Sequence, residues 1–401
     1  MTPSTSSTST MNSPAKNDGA TSKAPACAIR SPGVIQRLGI LTGGGDCPGL
    51  NAVIRAVTKT AILNYGVEVF GIEDGFLGLV QNRVHQLSVA QTSGILTVGG
   101  TILGTSNKCD PRRYQTGSDM DGNPIFKDVT DRVLEHIDHH HLDALIVIGG
   151  DGTMSCAKHF VEQGVNCIGV PKTIDNDLVG TDITFGFQSA VEVASWALDR
   201  IHTTAASHHR VMCVEVMGRN AGWIALYAGV AAGADVILLP EIPFDYDVIC
   251  DYVTTRQRQG KRCSIACVSE GARPIGGKVV VDKVDPTSPD PIRLGGVGKV
   301  IANELERRTG IETRTTILGH IQRGGSPVPN DRLLATRFGH HAVEVLMQGK
   351  RNRLVVMRHH ECTDVDILTA ADKQRTVPMD EPLIAAARAI GTCFGDQRVS
   401  S

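Results

Sequence analysis

The chain of 401 residues is poor in aromatic side chains, lacks a long uninterrupted apolar run and has no excess of positive charge. Aromatic residues make up 4% of it, and 40 lysines and arginines face 42 aspartates and glutamates, for a formal net charge of −2. This balance argues against nucleic acid as a partner. The longest apolar stretch, residues 223–240, contains Gly229, Gly233 and Asp235. We therefore expect a buried helix followed by a strand there, and no membrane association.

The eleven cysteines have no zinc-site spacing, and several lie in apolar runs such as residues 211–214. Reduced, buried thiols in a cytoplasmic protein are the favoured interpretation, and a disulfide framework is the alternative. Residues 1–36 are rich in serine and threonine and have few large apolar groups, which predicts a disordered tail. The tail has no apolar core of a secretory signal; a transit peptide is the alternative, although basic residues are few.

Short β-branched runs alternate with longer stretches of helical spacing over the rest of the chain. The predicted strands are residues 38–42, 67–72, 144–148, 166–170, 211–216, 236–239, 264–268 and 315–318, and predicted helices include residues 50–64, 156–163 and 187–202. This alternation predicts an α/β fold with mainly parallel sheets between helical layers, a three-layer αβα arrangement. The length suits two Rossmann-like doubly wound domains. Residues 110–128 and 273–296 are predicted to be inserted surface loops or hairpins.

Two glycine-rich segments follow predicted strands. In residues 42–51, TGGGDCPGLN, glycines let the backbone approach a ligand and a helix begins, so the segment suits phosphate binding; a tight turn is the alternative. It does not match the GxGxxG pattern, and the chain has no GxxxxGK[ST] loop. In residues 149–153, GGDGT, Asp151 suits Mg²⁺, which prefers few carboxylates and phosphate oxygens. Capping of the next helix is the alternative for Asp151.

The segment PKTIDND, residues 171–177, combines two carboxylates, a hydroxyl and a lysine. After a strand end, Thr173, Asp175 and Asp177 could converge on one acceptor hydroxyl, where one carboxylate takes the proton and the other orients the hydroxyl. Lys172 is expected to help to keep this cluster anionic. The alternative is a turn rich in aspartate and asparagine.

Basic side chains next to predicted strands and glycines form a third pattern: Arg210, Arg219, Arg314, His320 and Arg323. Arginine binds phosphate with two hydrogen bonds, so Arg314, His320 and Arg323 around a glycine-flanked strand end suggest a sugar-phosphate site; a surface salt bridge is the alternative for each basic residue. The three histidines at 139–141 do not converge on a helix, which indicates an exposed helix end.

With these motifs the chain resembles the 6-phosphofructokinase family, in particular its mixed-substrate group. GGGDCPGLN, GGDGT, PKTIDND, MGRNAG and LGHIQRGGSP occur in the family's order, and the resemblance covers roughly residues 37–350. It implies an ATP-dependent enzyme that phosphorylates the 1-hydroxyl of fructose 6-phosphate with Mg²⁺. We expect residues 37–186 with about 321–370 to form the phosphoryl-donor domain. Residues 187–320 with about 371–401 would form the sugar-phosphate domain.

The resemblance also implies roles for single residues. Asp175 is the base, Thr173 and Asp177 support the acceptor, and Arg219 and Lys172 act on the transferring phosphoryl group. The donor positions are Gly45, Lys108, Cys109, Gly150, Asp151, Gly152 and Thr153, with Asp151 also serving the metal. The sugar positions are Thr173, Ile174, Asp175, Met217, Gly218, Arg219, Glu270, Ile321 and Gln322. Arg210, Arg314, His320 and Arg323 would hold the 6-phosphate, with Arg210 and Arg314 supplied by a neighbouring subunit, so a homo-oligomer, dimer or tetramer, is implied.

Two positions bear on the phosphoryl donor. Pyrophosphate enzymes usually have aspartate at the position of Gly152 and lysine at that of Lys172, so this chain is a hybrid. Gly152 leaves room for the α-phosphate of ATP, whereas Lys172 is compatible with either donor. We therefore favour ATP, with a pyrophosphate-dependent enzyme as the alternative. A non-catalytic regulatory subunit is the third interpretation; it would be expected to lack Asp151, Asp175 or Arg219, and all three are present.

Overall fold

The structure, a computed structural model, describes residues 35–285, 291–369 and 371–398. The predicted tail therefore lies outside the described residues, except for residues 35 and 36, and so does part of the predicted loop at 273–296. Among the helices of the described ranges, none is long and apolar enough to cross a membrane.

The described ranges contain sixteen strands. In chain order they are β1 (Arg37–Thr42), β2 (Glu68–Ile72), β3 (Val84–Leu87), β4 (Tyr114–Ser118), β5 (Pro124–Lys127), β6 (Ala144–Gly149), β7 (Cys167–Thr173), β8 (Phe185–Gly186), β9 (Val211–Val216), β10 (Val236–Leu238), β11 (Ser264–Ser269), β12 (Val281–Val284), β13 (Ile292–Leu294), β14 (Thr313–Ile317), β15 (Arg353–Arg358) and β16 (Glu361–Asp366).

Ten α-helices lie between these strands within the same ranges. They are α1 (Leu50–Tyr65), α2 (Phe76–Gln81), α3 (Thr130–His139), α4 (Asp151–Glu162), α5 (Phe187–His208), α6 (Trp223–Ala231), α7 (Tyr246–Arg258), α8 (Val297–Thr309), α9 (Pro329–Met347) and α10 (Pro382–Ala389). Short 3₁₀ turns are Ile95–Thr97, Pro111–Arg113, Gly319–Arg323 and Ile367–Thr369.

Two sheets carry the fold. The larger has eight strands in the order β16-β15-β7-β6-β1-β2-β3, with β8 also paired to β7, and only its outer pairs β15–β16 and β2–β3 are antiparallel. The smaller sheet, β10-β11-β9-β14, is wholly parallel. The carboxyl ends of β1, β6 and β7 lie side by side, so the loops after them meet at one edge of the larger sheet. The sequence motifs occupy these loops.

Close packing of the helices depends on small residues, and the few aromatic rings are used in the core. Gly339 lets α9 approach α1, since a Cβ there would lie 2.8 Å from the Cβ of Ala56 and 2.8 Å from the carbonyl oxygen of Val53. The largest fully buried side chains are mostly aromatic and include Trp223, Phe160, Phe185, Phe187, Phe244, Phe338 and Phe394. Because such rings bury large apolar areas, a small number of them contributes much to a core that is otherwise mainly aliphatic.

The prediction of an α/β fold with mainly parallel sheets is confirmed, and so are the hairpins β4–β5 and β12–β13 in the two inserted segments. Three boundaries differ from the predicted ones by three residues or more. The strand predicted at 166–170 extends to Thr173, because β6 and β8 continue to pair with it. Helix α4 begins at Asp151 instead of 156, since its polar first turn hides the apolar periodicity. Helix α5 extends to His208 through a polar last part. The domain boundaries stay a prediction.

Candidate active site

The loop after β7 carries the predicted catalytic carboxylates, and an asparagine determines its shape. Asn176 has a positive φ of 51°, a backbone conformation that asparagine tolerates better than most residues. Its Oδ1 accepts hydrogen bonds from the backbone N–H of Thr184 at 3.0 Å and from the Thr184 hydroxyl at 3.4 Å. Thr173 Oγ1 accepts a hydrogen bond from the N–H of Asp175 at 3.1 Å. The bend therefore holds Asp175 and Asp177 in one buried turn.

The two carboxylates have raised pKa values. Burial raises the pKa of Asp175, while the charges of Arg323 and Lys172 oppose the rise. Burial and the charge of Asp175 raise the pKa of Asp177 to about 7. Asp175 Oδ1 is buried and has no hydrogen-bond partner among the described residues. A buried acceptor without a donor is costly, so this atom is a strong candidate to receive a ligand group.

Lys172 is a buried cation beneath the loop between β1 and α1. Only 3% of the residue is exposed, and its Nζ donates a hydrogen bond to the carbonyl oxygen of Gly45. Burial lowers the pKa of Lys172. Arg323, in the turn Gly319–Arg323, contacts the same loop, since its Nη1 donates to the carbonyl oxygen of Asp46 at 3.1 Å. Two cations thus lie between the β1–α1 loop and Asp175.

The loops after β1 and β6 are packed together through a threonine. A Cβ on Gly149 would lie 2.3 Å from the Cβ of Thr153, and one on Gly43 would lie 2.7 Å from its Cγ2. Glycine is therefore required at both positions. Gly152 differs, because a Cβ there would have no heavy atom within 4 Å. Any side chain at 152 would extend into open space, the space that the predicted donor would use.

Asp151 is the first residue of α4 and is held from two sides. Its Oδ1 accepts a hydrogen bond from the N–H of Gly152 at 2.8 Å, and its Oδ2 accepts one from Gln374 Nε2 at 2.7 Å. The helix cap itself is Gly150, so the capping alternative holds only in part. Gln374 lies 223 positions away along the chain, in a stretch without any motif. No signal in the sequence pointed to Gln374.

The arrangement around Asp151 fits Mg²⁺. Among the described residues no group of three or more His, Cys, Asp or Glu side chains could hold a metal as a protein cage. Mg²⁺ is instead commonly bound through one or two carboxylates together with substrate phosphates. Asp151 is suitable for such a site, because each of its oxygens is held by one hydrogen bond and can still accept another.

The loop after β9 carries Met217, Gly218 and Arg219. Gly218 has a φ of 134°, and a Cβ there would lie 2.6 Å from Ser269 Oγ, so the glycine is needed for the turn. Burial lowers the pKa of Arg219, and the charges of Glu270 and Asp151 oppose this. Its Nη2 donates a hydrogen bond to the carbonyl oxygen of Ile292 in β13.

Glu270 follows β11 in the same electrostatic neighbourhood. Burial, with the charges of Asp175 and Glu215, raises the pKa of Glu270 to about 7. A half-buried carboxyl group of this kind is neutral or ionised depending on what binds beside it. Lys108 forms a salt bridge with Asp285 at 3.2 Å. Burial raises the pKa of its neighbour Cys109 to about 12, so this thiol is inert.

Not all predicted substrate residues face the same space. Ile174 and Gln322 are fully buried, main chain included, so neither presents surface to a substrate in the free chain. Gln322 instead ties its turn to β9, since its Oε1 accepts a hydrogen bond from the N–H of Met217 at 3.3 Å. His320 and Ile321 are exposed at the same turn.

Arg210 and Arg314 lie at the far end of the smaller sheet. Both pair with Glu312, at 2.8 Å and 2.5 Å, next to the amino ends of β9 and β14. Arg219 and Arg323 follow the carboxyl ends of the same two strands. A strand of six residues spans about 20 Å, so one chain does not bring these two pairs of arginines together.

Glycine-rich loops, carboxylates and buried cations at the strand ends of a three-layer α/β fold are features of a phosphotransferase site. The family model described as Phosphofructokinase matches residues 37–346. The chain belongs to the phosphofructokinase family.

Relatives and solved structures agree with this assignment. The chain is 50% identical to a protein of Clostridium perfringens named ATP-dependent 6-phosphofructokinase 2, over 90% of this chain and 99% of the relative. It is 48% identical to an ATP-dependent 6-phosphofructokinase of Spirochaeta thermophila, over 89% of this chain and 97% of the relative. Among solved structures it is similar to Pichia pastoris phosphofructokinase in the T-state, with a TM-score of 0.72 and 31% identity over 87% of this chain. The chain spans 39% of the length of that Pichia chain.

Proposed function

We propose that the protein is an ATP-dependent 6-phosphofructokinase that transfers the terminal phosphoryl group of ATP to the 1-hydroxyl of D-fructose 6-phosphate in glycolysis. The observation that carries the proposal is Asp175, whose Oδ1 is buried without a partner among the described residues. Such an acceptor suits the hydroxyl of a substrate. Relatives named ATP-dependent 6-phosphofructokinase, up to 50% identical to this chain, support the choice of sugar and donor.

In the proposed reaction, the Asp175 carboxylate takes the proton of the 1-hydroxyl as the hydroxyl oxygen attacks the terminal phosphorus, and ADP leaves. Burial makes Asp175 more basic, while the charges of Arg323 and Lys172 favour its ionised form. The Thr173 hydroxyl, bonded to the Asp175 N–H, and Asp177 hold the acceptor in position. Phosphoryl transfer depends mainly on such positioning and on charge stabilisation.

We assign to Arg219 the stabilisation of negative charge on the transferring phosphoryl group. Lys172, beneath the β1–α1 loop, would contribute to the same stabilisation. Both side chains can donate hydrogen bonds to a phosphoryl oxygen. In the free chain Arg219 donates one to the carbonyl oxygen of Ile292 instead. The sugar would lie against Met217, Gly218 and Glu270.

The donor would lie along the loops after β1 and β6, next to the positions Gly45, Lys108, Cys109, Gly150, Asp151, Gly152 and Thr153. We assign Asp151 to Mg²⁺, which would neutralise charge between the donor phosphates. The open space beside Gly152 supports ATP, since it leaves room for an α-phosphate. One observation favours pyrophosphate as a second candidate donor, the buried Lys172, because pyrophosphate enzymes of the family usually have lysine at this position.

We propose that the 6-phosphate is held by His320 and Arg323 of one chain and by Arg210 and Arg314 of a neighbouring copy. The separation of these arginines by the length of β9 and β14 supports a site shared between subunits of a homo-oligomer. In the free chain the carboxylate of Glu312 pairs with both Arg210 and Arg314. We also propose a cytoplasmic location, which fits the ten free cysteines of the described residues.

A donor assay tests the proposal. Purified protein is given fructose 6-phosphate and Mg²⁺ with either ATP or pyrophosphate, and fructose 1,6-bisphosphate is measured. We expect turnover with ATP and much less with pyrophosphate. Turnover with pyrophosphate alone would replace the proposed function by the second candidate, and no product with either donor would reject both.

A further inference from the structure

Gln374 connects two loops that belong to different sheets. Its Nε2 donates a hydrogen bond to Asp151 Oδ2 at 2.7 Å, and its Oε1 accepts one from Asn220 Nδ2 at 2.8 Å. An ionised carboxylate can only accept, so the amide nitrogen must face Asp151 and the oxygen must face Asn220. Asp151 follows β6 of the larger sheet, and Asn220 follows Arg219 beyond β9 of the smaller sheet.

The backbone around Gln374 is firmly anchored. The N–H of Arg375 donates to the carbonyl oxygen of Asp177 at 2.6 Å, and Trp223 Nε1 donates to the carbonyl oxygen of Arg375 at 3.3 Å. The Arg375 guanidinium also lies 4.3 Å from the centre of the Trp223 ring. Because the segment is fixed to both the catalytic loop and α6, the backbone of Gln374 is held within side-chain reach of Asp151.

The two hydrogen bonds on Asp151 orient its carboxylate and leave acceptor sites on both oxygens. Gly152 N–H bonds to Oδ1 and Gln374 bonds to Oδ2, one donor to each oxygen. Each carboxylate oxygen has two lone-pair sites, so both oxygens can still accept from a cation or from its bound water. Contacts of this kind orient metal ligands, and their loss typically lowers metal affinity or activity by about 10- to 100-fold.

We propose that Gln374 is a positioning residue that orients Asp151 for the Mg²⁺ of the phosphoryl donor and links it, through Asn220, to the turn carrying Arg219. The inference rests on the proposed function, in which Asp151 and Arg219 serve the same phosphoryl group. In this proposal the link through Gln374 keeps the distance between Asp151 and Arg219 constant, although the loops that carry them follow strands of different sheets.

The test is Gln374→Met, which keeps the length of the side chain and removes both hydrogen bonds. Calorimetry measures the affinity for ADP with Mg²⁺ and for ADP in EDTA. In the wild type we expect Mg²⁺ to increase the affinity for ADP. In Gln374→Met this increase should be about 10-fold smaller, whereas the affinity for ADP in EDTA should be unchanged. In the assay kcat should fall by about 10-fold or more, with KM for fructose 6-phosphate within about 3-fold of the wild-type value.

Two further variants separate positioning from a structural role. Lys158→Ala removes the salt bridge to Asp372, at 3.0 Å, from the same segment without touching Asp151, and its Mg²⁺ dependence should equal that of the wild type. Asn220→Ala should reproduce part of the Gln374→Met effect on kcat. The double variant should be no worse than Gln374→Met, because two residues that act as one unit are not additive.

An unchanged Mg²⁺ dependence in Gln374→Met would overturn the inference, and so would an equal loss in Lys158→Ala. A loss of thermal stability alone, with normal Mg²⁺-dependent binding, would likewise assign Gln374 a structural role. If the wild type binds pyrophosphate and not ADP, the donor in the proposed function is wrong. The same titrations with pyrophosphate then still decide the role of Gln374.

Discussion

Lys172 donates a hydrogen bond to the carbonyl oxygen of Gly45, so the lysine of the proposed catalytic segment is bonded to the glycine-rich loop after β1. The lysine is 3% exposed, and burial lowers its pKa. A buried cation of this kind weakens the folded state unless its partners compensate for the lost hydration. Its presence there is therefore better explained by function than by stability.

Lys172→Met should separate the contribution of the lysine to stability from its contribution to catalysis. We expect the free energy of unfolding, measured by urea denaturation, to stay equal or to rise, because methionine of similar length needs no hydration. The kcat should fall by about 10-fold or more, since one cation beside the phosphoryl group is lost. A large loss of stability together with normal kcat would show that the lysine is structural.

Asp175→Ala should lower kcat by several orders of magnitude and change KM for fructose 6-phosphate little. The proposed base acts in the transition state more than in substrate binding. Steady-state kinetics checks this, with Asp175→Asn as the matched control that keeps the size of the side chain. If either variant retains near-normal kcat, Asp175 is not the base.

Gly152→Asp should weaken the use of ATP without unfolding the protein. A Cβ at this position has no heavy atom within 4 Å, so the protein can accommodate the new side chain. The carboxylate would extend into the donor space and repel the α-phosphate. We expect KM for ATP to rise by about 10-fold or more, equivalent to about 1.4 kcal/mol. Gly152→Ala, which adds no charge, is the control, and an unchanged KM for ATP in Gly152→Asp would contradict the assignment.

Asp177 should make stability depend on pH. Its pKa is raised to about 7 in the folded state, whereas an unfolded aspartate has a pKa of about 3.9. Between these two values the folded state binds more protons, so the free energy of unfolding should fall as the pH rises from about 4 through about 7. Urea denaturation of the ligand-free protein at pH 5 and pH 8 measures this loss. Asp177→Asn should lose less stability over the same interval, and an equal loss would contradict the raised pKa.

The parts of the fold and site that could be predicted from the sequence are local in the chain. A buried apolar run, the glycines after it and the start of a helix form a pattern of consecutive residues. The sequence therefore predicts β1, β6 and the loops after them. Thr173, Asp175 and Asp177 could be proposed as a site for the same reason, because seven consecutive residues contain the whole cluster.

Contacts between distant residues could not be predicted in this way. Gln374 reaches Asp151 across 223 positions, and a glutamine in an irregular segment has no periodicity that would reveal it. Arg323 was predicted at the sugar phosphate, and its contact with the carbonyl oxygen of Asp46 in the donor loop was not foreseen. Such contacts depend on how the sheets and loops come together, which no local pattern contains.

The proposed sharing of the site between subunits gives the last prediction. Asp175→Ala and Arg314→Ala each remove one part of every site in their own homo-oligomers, so each alone should be nearly inactive at low fructose 6-phosphate. In a hybrid dimer one site contains both altered residues. The other site then combines the intact Asp175 of one chain with the intact Arg314 of its partner, and it should be active. For random mixing in a dimer with two shared sites, about one quarter of the wild-type rate should return.

The control for this experiment mixes Asp175→Ala with Asp151→Ala after the same unfolding and refolding. Both changes lie in the loops of one chain, at the ends of β7 and β6, so no hybrid site can be complete. Activity should therefore stay near zero in the control and return only with Arg314→Ala. Equal rates in both mixtures would mean that Arg314 acts within its own chain, whereas normal activity of Arg314→Ala alone would mean that Arg314 takes no part in the site. The 20 Å scale of the smaller sheet's strands makes the first of these two options physically difficult.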